Sequence, residues 1–161
     1  MGGVSTFTGM IYKNWMETFQ LKKMEGILDK IKFEDKVLDV GYGAGFLESL
    51  VPNIFALDTQ IHQLENPTAI NVCGSGNCLP FKTDSFKTVF CIDVIHLLNG
   101  IRELLRVLDE DGILILTSFC NSYNKLDKLK ELLEYTKEIQ VIDTFFVGVK
   151  ELDAVIVCTH K

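Results

Sequence analysis

Residues 36–45 read KVLDVGYGAG, and this stretch decides the fold that the rest of the sequence predicts. Val37, Leu38 and Val40 form a short apolar run, which is typical of a buried parallel strand. The run ends in a cluster of three glycines, and residues 46–51 can begin a helix. A strand, a glycine turn and a helix in this order let a ligand approach bare backbone N–H groups at a helix N-terminus.

The spacing of the glycines distinguishes two classes of ligand-binding loop. A dinucleotide fingerprint, G-x-G-x-x-G, would need a glycine at position 46, where the chain has Phe46. The chain has G-x-G-x-G instead, at Gly41, Gly43 and Gly45, and the acid Asp39 precedes it. Glycine allows any φ and leaves no Cβ between the backbone and a ligand. The loop resembles that of class I S-adenosylmethionine (SAM) dependent methyltransferases.

The second predicted strand, 53–58, ends in an acid that extends this resemblance. Asp58 lies 17 positions after Gly41, near the roughly 20 residues expected before a carboxylate that binds ribose hydroxyls. The crossover that follows, 59–68, contains Pro67 and leaves room for only a turn or two of helix. The resemblance therefore implies that Asp58 holds the ribose of the cofactor.

A third segment, 74–81, reads GSGNCLPF and resembles the family's G-D-A-x-x-L-P-F. The acid of that segment commonly hydrogen-bonds the adenine amino group, and Ser75 stands in its place here. A hydroxyl accepts a hydrogen bond more weakly than a carboxylate does. The resemblance therefore implies that Ser75, Gly76 and Asn77 flank the adenine, with recognition resting partly on backbone groups.

The second half of the chain continues the family pattern. Residues 85–92 resemble its S-F-D-x-V segment, with Lys87 in place of the acid, and residues 93–98 resemble a stretch that ends in H-H-L. Residues 106–114, RVLDEDGIL, match R-V-L-x-x-G-G-x-L. Residues 109–112 are expected to turn the chain into a fifth strand.

The last two predicted strands, 139–146 and 153–159, are only about six residues apart. A parallel crossover needs roughly a dozen residues or more, so these strands must form an antiparallel hairpin. The predicted fold is α/β: a Rossmann-like doubly wound sheet of about seven strands, mostly parallel, with an antiparallel last strand. We expect a single domain over residues 1–161, with an N-terminal helical segment, 1–31, and a Rossmann-like core, 36–161.

The N-terminal segment is predicted to be a loose tail over residues 1–9, followed by helix. Apolar residues from Met10 to Ile31 follow helical spacing, as one long helix or two shorter ones. Tyr12 and Trp15 resemble the Y-D-x-W segment that often precedes the first strand in this family and helps to close over the cofactor. Trp15 also fits an ordinary core position.

The resemblance implies a complete cofactor site for SAM. Its residues come from the glycine loop, the ends of the following strands and the N-terminal segment: Asp39, Gly41, Tyr42, Gly43, Gly45, Asp58, Thr59, Ser75, Gly76, Asn77, Cys91 and Tyr12. The carboxypropyl and ribose parts of SAM are expected over the three glycines. The strand end from Cys91 to Asp93 is expected near the reactive sulfonium.

Methyl transfer is an in-line displacement that needs a base only if the acceptor carries a proton. His96 is the first candidate for a catalytic base, since its unperturbed pKa lies near ~6.5. Asp93 is the second candidate and Tyr123 the third. His96 fits a packing position at a helix start equally well, so both interpretations stay open.

Composition and charge limit the partners of the chain. The formal net charge is −6 and the basic residues are scattered, which argues against a nucleic-acid surface. No apolar run approaches the ~18 residues of a membrane span. Five cysteines without a C-x-x-C pair favour a reducing, cytoplasmic setting. Cys73, Cys78 and His62 fit no zinc spacing, so we expect no metal site.

Three functions remain open from the sequence. The first is a SAM-dependent methyltransferase acting on a small molecule, most like the ubiquinone/menaquinone-type group (methyltransferase type 11). The second is a catalytically inactive SAM- or nucleoside-binding domain or partner subunit. The third is a nicotinamide-dependent oxidoreductase, which Phe46 and the closing hairpin disfavour. Because no segment is long enough for a substrate lid, the acceptor pocket is expected from the N-terminal segment, residues 119–124, residues 146–151, or a second subunit of a homodimer.

Overall fold

The computed structural model describes residues 3–60 and 67–161, with side chains from residue 14 onward in the first range. The helices are α1 (Gly3–Leu28), α2 (Phe46–Leu50), α3 (Arg102–Val107) and α4 (Lys125–Tyr135), with a short 3-10 helix at Ile95–Leu97. The strands are β1 (Val37–Val40), β2 (Phe55–Asp58), β3 (Ile70–Cys73), β4 (Phe86–Cys91), β5 (Leu108–Cys120), β6 (Gln140–Gly148) and β7 (Leu152–Thr159).

The seven strands form one sheet in the order β3-β2-β1-β4-β5-β7-β6. The pairs from β3 to β5 are parallel, and β7 is antiparallel to both of its neighbours. The predicted α/β class and the closing hairpin are confirmed. The strand order reverses between β1 and β4, and in open α/β sheets the crevice at such a point binds ligands.

Apolar side chains cover both faces of the sheet because parallel strands in the middle of a sheet are buried on both sides. Leu38 and Val40 of β1 face the layer that contains α3 and α4, whereas Val37 faces the layer that contains α1 and α2. Asp39 lies on the α1 face as well, since side chains alternate along a strand. The acid is therefore carried into the interior by its position in β1.

Two sequence-based predictions about local structure were wrong. Helix α1 is one continuous helix that begins at Gly3, where a loose tail to residue 9 was expected; once a helix is nucleated, each added residue gains a backbone hydrogen bond. The segment 109–112 is not a turn before β5 but an irregularity within it. Phe86 pairs with Leu108 while Thr88 pairs with Ile113, so the extra residues bulge out of the ladder.

Three other points concern the extent of the chain. The predicted short crossover over 59–68 lies mostly outside the described residues, because 61–66 are not described. The assignment of the chain to a single domain stays a prediction. Among the described residues, no helix has the length and apolar character needed to cross a membrane.

Candidate functional site

The glycine loop lies where β1 ends, at the reversal of strand order. Gly41, Gly43 and Gly45 have φ values of 95°, 55° and 75°, a region that L side chains rarely adopt. The backbone N–H groups of Gly41 and Tyr42 both donate to the carbonyl of Leu57, at 2.8 and 3.1 Å. The loop is therefore fixed against the end of β2.

The three glycines have different surroundings. A Cβ at Gly41 would collide with the side chain of Val94, and one at Gly45 would collide with the ring of Tyr42. A Cβ at Gly43 would meet only the carbonyl oxygen of Gly41, at 3.9 Å. Packing therefore requires glycine at the two outer positions, whereas the middle one leaves an open cradle that a ligand can enter.

One cavity, of about 270 Å³, lies between the glycine loop and the ends of β2 and β3. It brings together six of the residues predicted to bind the cofactor: Gly41, Asp58, Thr59, Ser75, Gly76 and Asn77. Val40, Leu57, Val94, Leu97 and Leu98 supply its apolar walls. A carboxylate at one end and apolar walls around the rest suit a nucleoside, with its ribose toward Asp58.

The polar groups of this cavity are held by local hydrogen bonds. Asp58 Oδ1 accepts from the Gln60 backbone N–H at 2.8 Å. Ser75 Oγ accepts from the Asn77 backbone N–H at 3.2 Å, and Asn77 Oδ1 accepts from the Asn99 backbone N–H at 2.7 Å. Ser75 is exposed, as a loop that contacts a ligand requires. The turn is thus preformed without an acid at position 75.

A second cavity, of about 200 Å³, lies on the other side of the loop, toward α1. Asp39, Tyr42 and Gly43 line it, and Gly41 lines both cavities. Gln20, Met24, Ala44, Phe46, Leu47 and Ile92 complete its walls. The two cavities therefore meet at the glycine loop, and the inner one is built around a buried carboxyl group.

Asp39 has an acidic neighbour that the sequence did not indicate. Burial raises the pKa of Asp39 well above its usual range, and the Glu48 carboxylate beside it adds to the effect. Burial raises the pKa of Glu48 too. Glu48 is the one charged residue of the short helix FLESL, which marks it as unusual, but nothing in the spacing predicts that its side chain lies beside Asp39.

Asp93 follows β4 in a conformation that few residues adopt. Its φ is 55°, and non-glycine residues in this region cluster at functional sites. Thr117 of β5 makes two hydrogen bonds with Asp93. The Asp93 backbone N–H donates to Thr117 Oγ1 at 3.0 Å, and Thr117 Oγ1 donates to Asp93 Oδ1 at 3.1 Å. The carboxylate is thereby fixed at the carboxyl edge of the sheet.

Asp93 lines the largest of the described cavities, about 620 Å³. The other lining residues come from the 3-10 helix, the end of β5 and helix α4: Ile95, His96, Ser118, Phe119, Lys128, Glu131, Leu132, Glu134 and Tyr135. Phe119 belongs to the 119–124 segment, one of those expected to form the acceptor pocket, and that expectation stays a prediction. The sequence did not predict that α4 would line a cavity, because nothing in the helical pattern tells which way the helix packs.

The remaining predicted site residues fall in different places. Cys91 is fully buried among apolar side chains and lines none of the described cavities, so the structure gives it a packing role; Ile92 and Asp93 of the same strand end face the cavities instead. Tyr123 is 98% exposed, outside the cavities. Tyr12 belongs to α1, but its side chain lies outside the described part of the chain.

Comparison with known proteins identifies the class. The model of a family described as "Methyltransferase domain" matches residues 38–116. A SAM-dependent methyltransferase from Aquifex aeolicus superimposes with a TM-score of 0.68 at 19% identity, over 86% of this chain and 91% of that one. A chain of the complex between the Haloferax volcanii Trm112 methyltransferase activator and a candidate methyltransferase gives a TM-score of 0.68 at 16% identity, over 91% and 93%.

A curated relative, an uncharacterized protein of Methanocaldococcus jannaschii, is 31% identical over 132 residues. The match covers 77% of this chain and 51% of the relative, so the chain spans about half the length of that protein.

The fold is that of the class I SAM-dependent methyltransferases. The match of residues 38–116 to the methyltransferase-domain family agrees with the resemblance seen in the sequence. The family implies S-adenosylmethionine as the cofactor, and the residues present fit it: an open cradle at Gly43, a carboxylate at Asp58 and a buried carboxyl oxygen at Asp39 that has no hydrogen-bond partner.

Proposed function

We propose that this chain transfers a methyl group from SAM to a small-molecule acceptor. The observation that carries the proposal is the meeting of two cavities at Gly41, one with a ribose-type carboxylate and one with a buried acid. A nucleoside joined to an amino acid has polar groups at both ends, and the two cavities offer partners for both. Bound SAM supplies a methyl group that is activated toward nucleophiles.

In this proposal, different residues bind different parts of SAM. Asp58 would accept hydrogen bonds from the ribose hydroxyls, and Ser75, Gly76 and Asn77 would flank the adenine. The open cradle at Gly43 would admit the chain that links the nucleoside to the amino-acid end. Asp39 would face the amino group at that end. These roles extend the sequence-based predictions, with Glu48 added as the neighbour of Asp39.

The 620 Å³ cavity supports a small-molecule acceptor, because ligand pockets typically enclose about 300–1,000 Å³. Its acidic residues are Asp93, Glu131 and Glu134, of which Glu131 is paired with Lys128 and Glu134 with Lys137 on the surface. The charge left in the lining is that of Asp93, which favours a neutral or cationic acceptor. Asp93 and His96 line the cavity, and in this proposal one of them accepts a proton from an acceptor that bears one.

The test is a methyl-donor consumption assay with the purified chain, SAM and a panel of acceptors grouped by nucleophile: amines, phenols, thiols and activated carbon acids. We expect S-adenosylhomocysteine (SAH) to form with at least one group, and the Asp93→Asn and His96→Gln variants to report whether a base is used. SAM binding without turnover on any acceptor would contradict the proposal.

A catalytically inactive SAM-binding domain or partner subunit is the alternative. Its support is that His96 is exposed and that no acid stands at position 75. The Haloferax volcanii neighbour forms a complex with a methyltransferase activator, so a protein partner is a reasonable second hypothesis beside a homodimer. The cytoplasmic setting also remains a proposal, supported by five cysteines that are all free thiols.

A further inference from the structure

The Asp93 carboxylate is held as a hydrogen-bond acceptor in the wall of the 620 Å³ cavity. Thr117 Oγ1 donates its proton to Asp93 Oδ1 at 3.1 Å and accepts from the Asp93 backbone N–H at 3.0 Å. Among the described residues, no lysine, arginine or histidine side chain forms an ion pair with Asp93. Its second oxygen, Oδ2, is therefore available to a ligand.

The two other acids of the cavity wall are paired with lysines on the surface. Glu131 pairs with Lys128 at 2.6 Å, and Glu134 pairs with Lys137. Each pair is neutral, and both glutamate side chains are more than half exposed. Solvent and salt screen charges in such positions. The two pairs therefore contribute little to the charge that a ligand in the cavity meets.

A buried lysine lies beside the cavity on the α1 side, but another acid already occupies it. Lys23 Nζ lies 5.4 Å from the centre of the Phe119 ring, which lines the cavity, and its ion pair is with Asp153 at 2.7 Å. Burial, followed by the charge of Asp93, raises the pKa of Asp153 to about 6. Two acids thus lie near one lysine, and the negative charge left over is that of Asp93, the acid that lines the cavity.

Much of the remaining wall is apolar or aromatic. Ile95 and Leu132 are buried, Phe119 is 48% exposed, and Tyr135 adds a second ring. Aromatic rings attract organic cations, and apolar side chains pack against a hydrocarbon body. One carboxylate among these walls fits an organic ammonium ion.

Other kinds of ligand fit the cavity less well. An anion would face the Asp93 carboxylate, while Lys23 and Lys128 are already paired with acids. A neutral ligand would leave Asp93 without a positively charged partner. A divalent metal ion would need several ligands, and no group of three or more acidic, histidine or cysteine side chains in the described part of the chain could hold one.

We propose that the methyl acceptor is an organic amine, which Asp93 binds as its ammonium ion while the hydrocarbon body lies against Phe119 and Leu132. The inference deepens the proposed function and rests on it, since the methyl group comes from SAM. The ammonium gives one proton to Asp93, which returns it to solvent after the reaction. The nitrogen lone pair then bonds to the methyl carbon as the bond between that carbon and sulfur breaks. The electron pair of the broken bond stays on sulfur, so the products are SAH and an N-methylammonium ion.

The experiment compares three probes that share a phenylethyl body: 2-phenylethylamine, 2-phenylethanol and 3-phenylpropanoate. They carry a cation, a neutral group and an anion in turn. Each is titrated by NMR into the chain saturated with SAH at pH 7.5. We expect the amine to bind at least about tenfold more tightly than the alcohol, and the carboxylate to bind most weakly.

The Asp93→Asn variant removes the charge and keeps the shape of the side chain. Asparagine also tolerates the φ of 55° at this position better than most residues do. We expect its affinity for the amine to fall by about tenfold, whereas its affinity for the alcohol should stay within about twofold of the wild type. Asp127→Asn is the matched control, because Asp127 is an exposed acid of α4 that does not line the cavity. Thermal melts show whether each variant is folded.

Mass spectrometry of the products formed from SAM and a panel of acceptors is the second readout, and it should find the new methyl group on nitrogen. The inference is overturned if the wild type binds the alcohol as tightly as the amine, if it binds none of the probes, or if Asp93→Asn keeps the preference for the amine. Methyl transfer only to oxygen, sulfur or carbon would overturn it while leaving the proposed function intact. A wild type that binds no SAH contradicts the proposed function instead.

Discussion

The Lys23 ammonium on α1 lies 2.7 Å from the Asp153 carboxylate on β7, and both side chains are almost fully buried. Lys23 Nζ also lies 5.4 Å from the centre of the Phe119 ring. Phe119 and Asp153 are paired residues of β5 and β7. Burial, followed by the charge of Asp93, raises the pKa of Asp153 to about 6, although Lys23 acts in the opposite direction. The ion pair thus joins the N-terminal helix to the sheet beside the candidate site.

Removing Asp153 alone should destabilise the protein far more than removing both partners of this pair. Asp153→Leu leaves a buried ammonium, which typically costs about 3–5 kcal/mol. Lys23→Met should cost less, because Asp153 can become protonated. The double variant should be more stable than Asp153→Leu alone. Urea denaturation of the four proteins completes a double-mutant cycle, and losses that simply add would show that the two side chains do not depend on each other.

Glu103 and Arg106 of α3 bind the backbone of residues 79–81, and their ion pair predicts that the stability of the fold depends on pH. Arg106 donates to the carbonyls of Leu79 and Phe81 at 2.9 and 2.8 Å, and the Leu79 N–H donates to Glu103 at 2.9 Å. The hydrogen bond from Arg106 is the main reason that the pKa of Glu103 is lowered to about 2.

Because the carboxyl pKa is lower in the folded chain, the stabilisation is complete above about pH 4.5 and is lost as the pH falls toward 2. The Glu103→Gln variant should therefore melt below the wild type at neutral pH, with a difference that shrinks from pH 5 to pH 3. Glu131→Gln, at an exposed position of α4, is the control. A difference in melting temperature that stays constant across this range would show that the ionised Glu103 carboxylate does not stabilise the fold.

Gly43→Val should abolish most cofactor binding while the fold persists. The position has φ 55° and open space around its missing Cβ, so a branched side chain would fill the cradle without striking the protein. We expect SAH affinity to fall by more than about tenfold. Gly100→Val is the matched control, since Gly100 also has positive φ and nothing within 4 Å, but lines neither cofactor cavity. Equal SAH affinities for the two variants would show that the open space at Gly43 is not part of the cofactor site.

Ser75→Asp restores the acid that is usual at this position in the family. Ser75 is exposed and lines the cavity of about 270 Å³ that also contains Asp58, so the new carboxylate should not be buried in the interior. A charged acceptor for the adenine amino group should tighten SAH binding by about three- to tenfold. Ser122→Asp, in an exposed loop away from the cavities, should leave the affinity unchanged. Loss of stability without a gain in affinity would mean that this turn does not face adenine.

The sequence predicted the strands of the sheet and the residues that meet at the 270 Å³ cavity because both follow from local patterns. Short apolar runs predicted the strands, and the six-residue link between β6 and β7 allowed only an antiparallel hairpin. The glycine spacing and the position of Asp58 predicted a nucleoside site at strand ends that meet at one edge of the sheet, and a cavity of about 270 Å³ lies there.

What the sequence could not predict depends on how helices pack. Glu48 faces Asp39 only because α2 lies over β1, and Lys23 meets Asp153 across about 130 residues of chain. The wall that α4 gives to the large cavity has the same origin. Cys91 shows the same limit, because its position at the end of a strand did not reveal that its side chain is fully buried.

Titration of the wild-type chain with SAH and with NAD, beside the Asp58→Ala variant, tests the central claim most directly. We expect the wild type to bind SAH and not NAD. Asp58→Ala should bind SAH about ten- to a hundredfold more weakly, because one charged acceptor for the ribose, worth roughly 1.5–3 kcal/mol, is lost. Binding of NAD in preference to SAH, or an unchanged dissociation constant for SAH in Asp58→Ala, would contradict the assignment of this edge of the sheet as a SAM site.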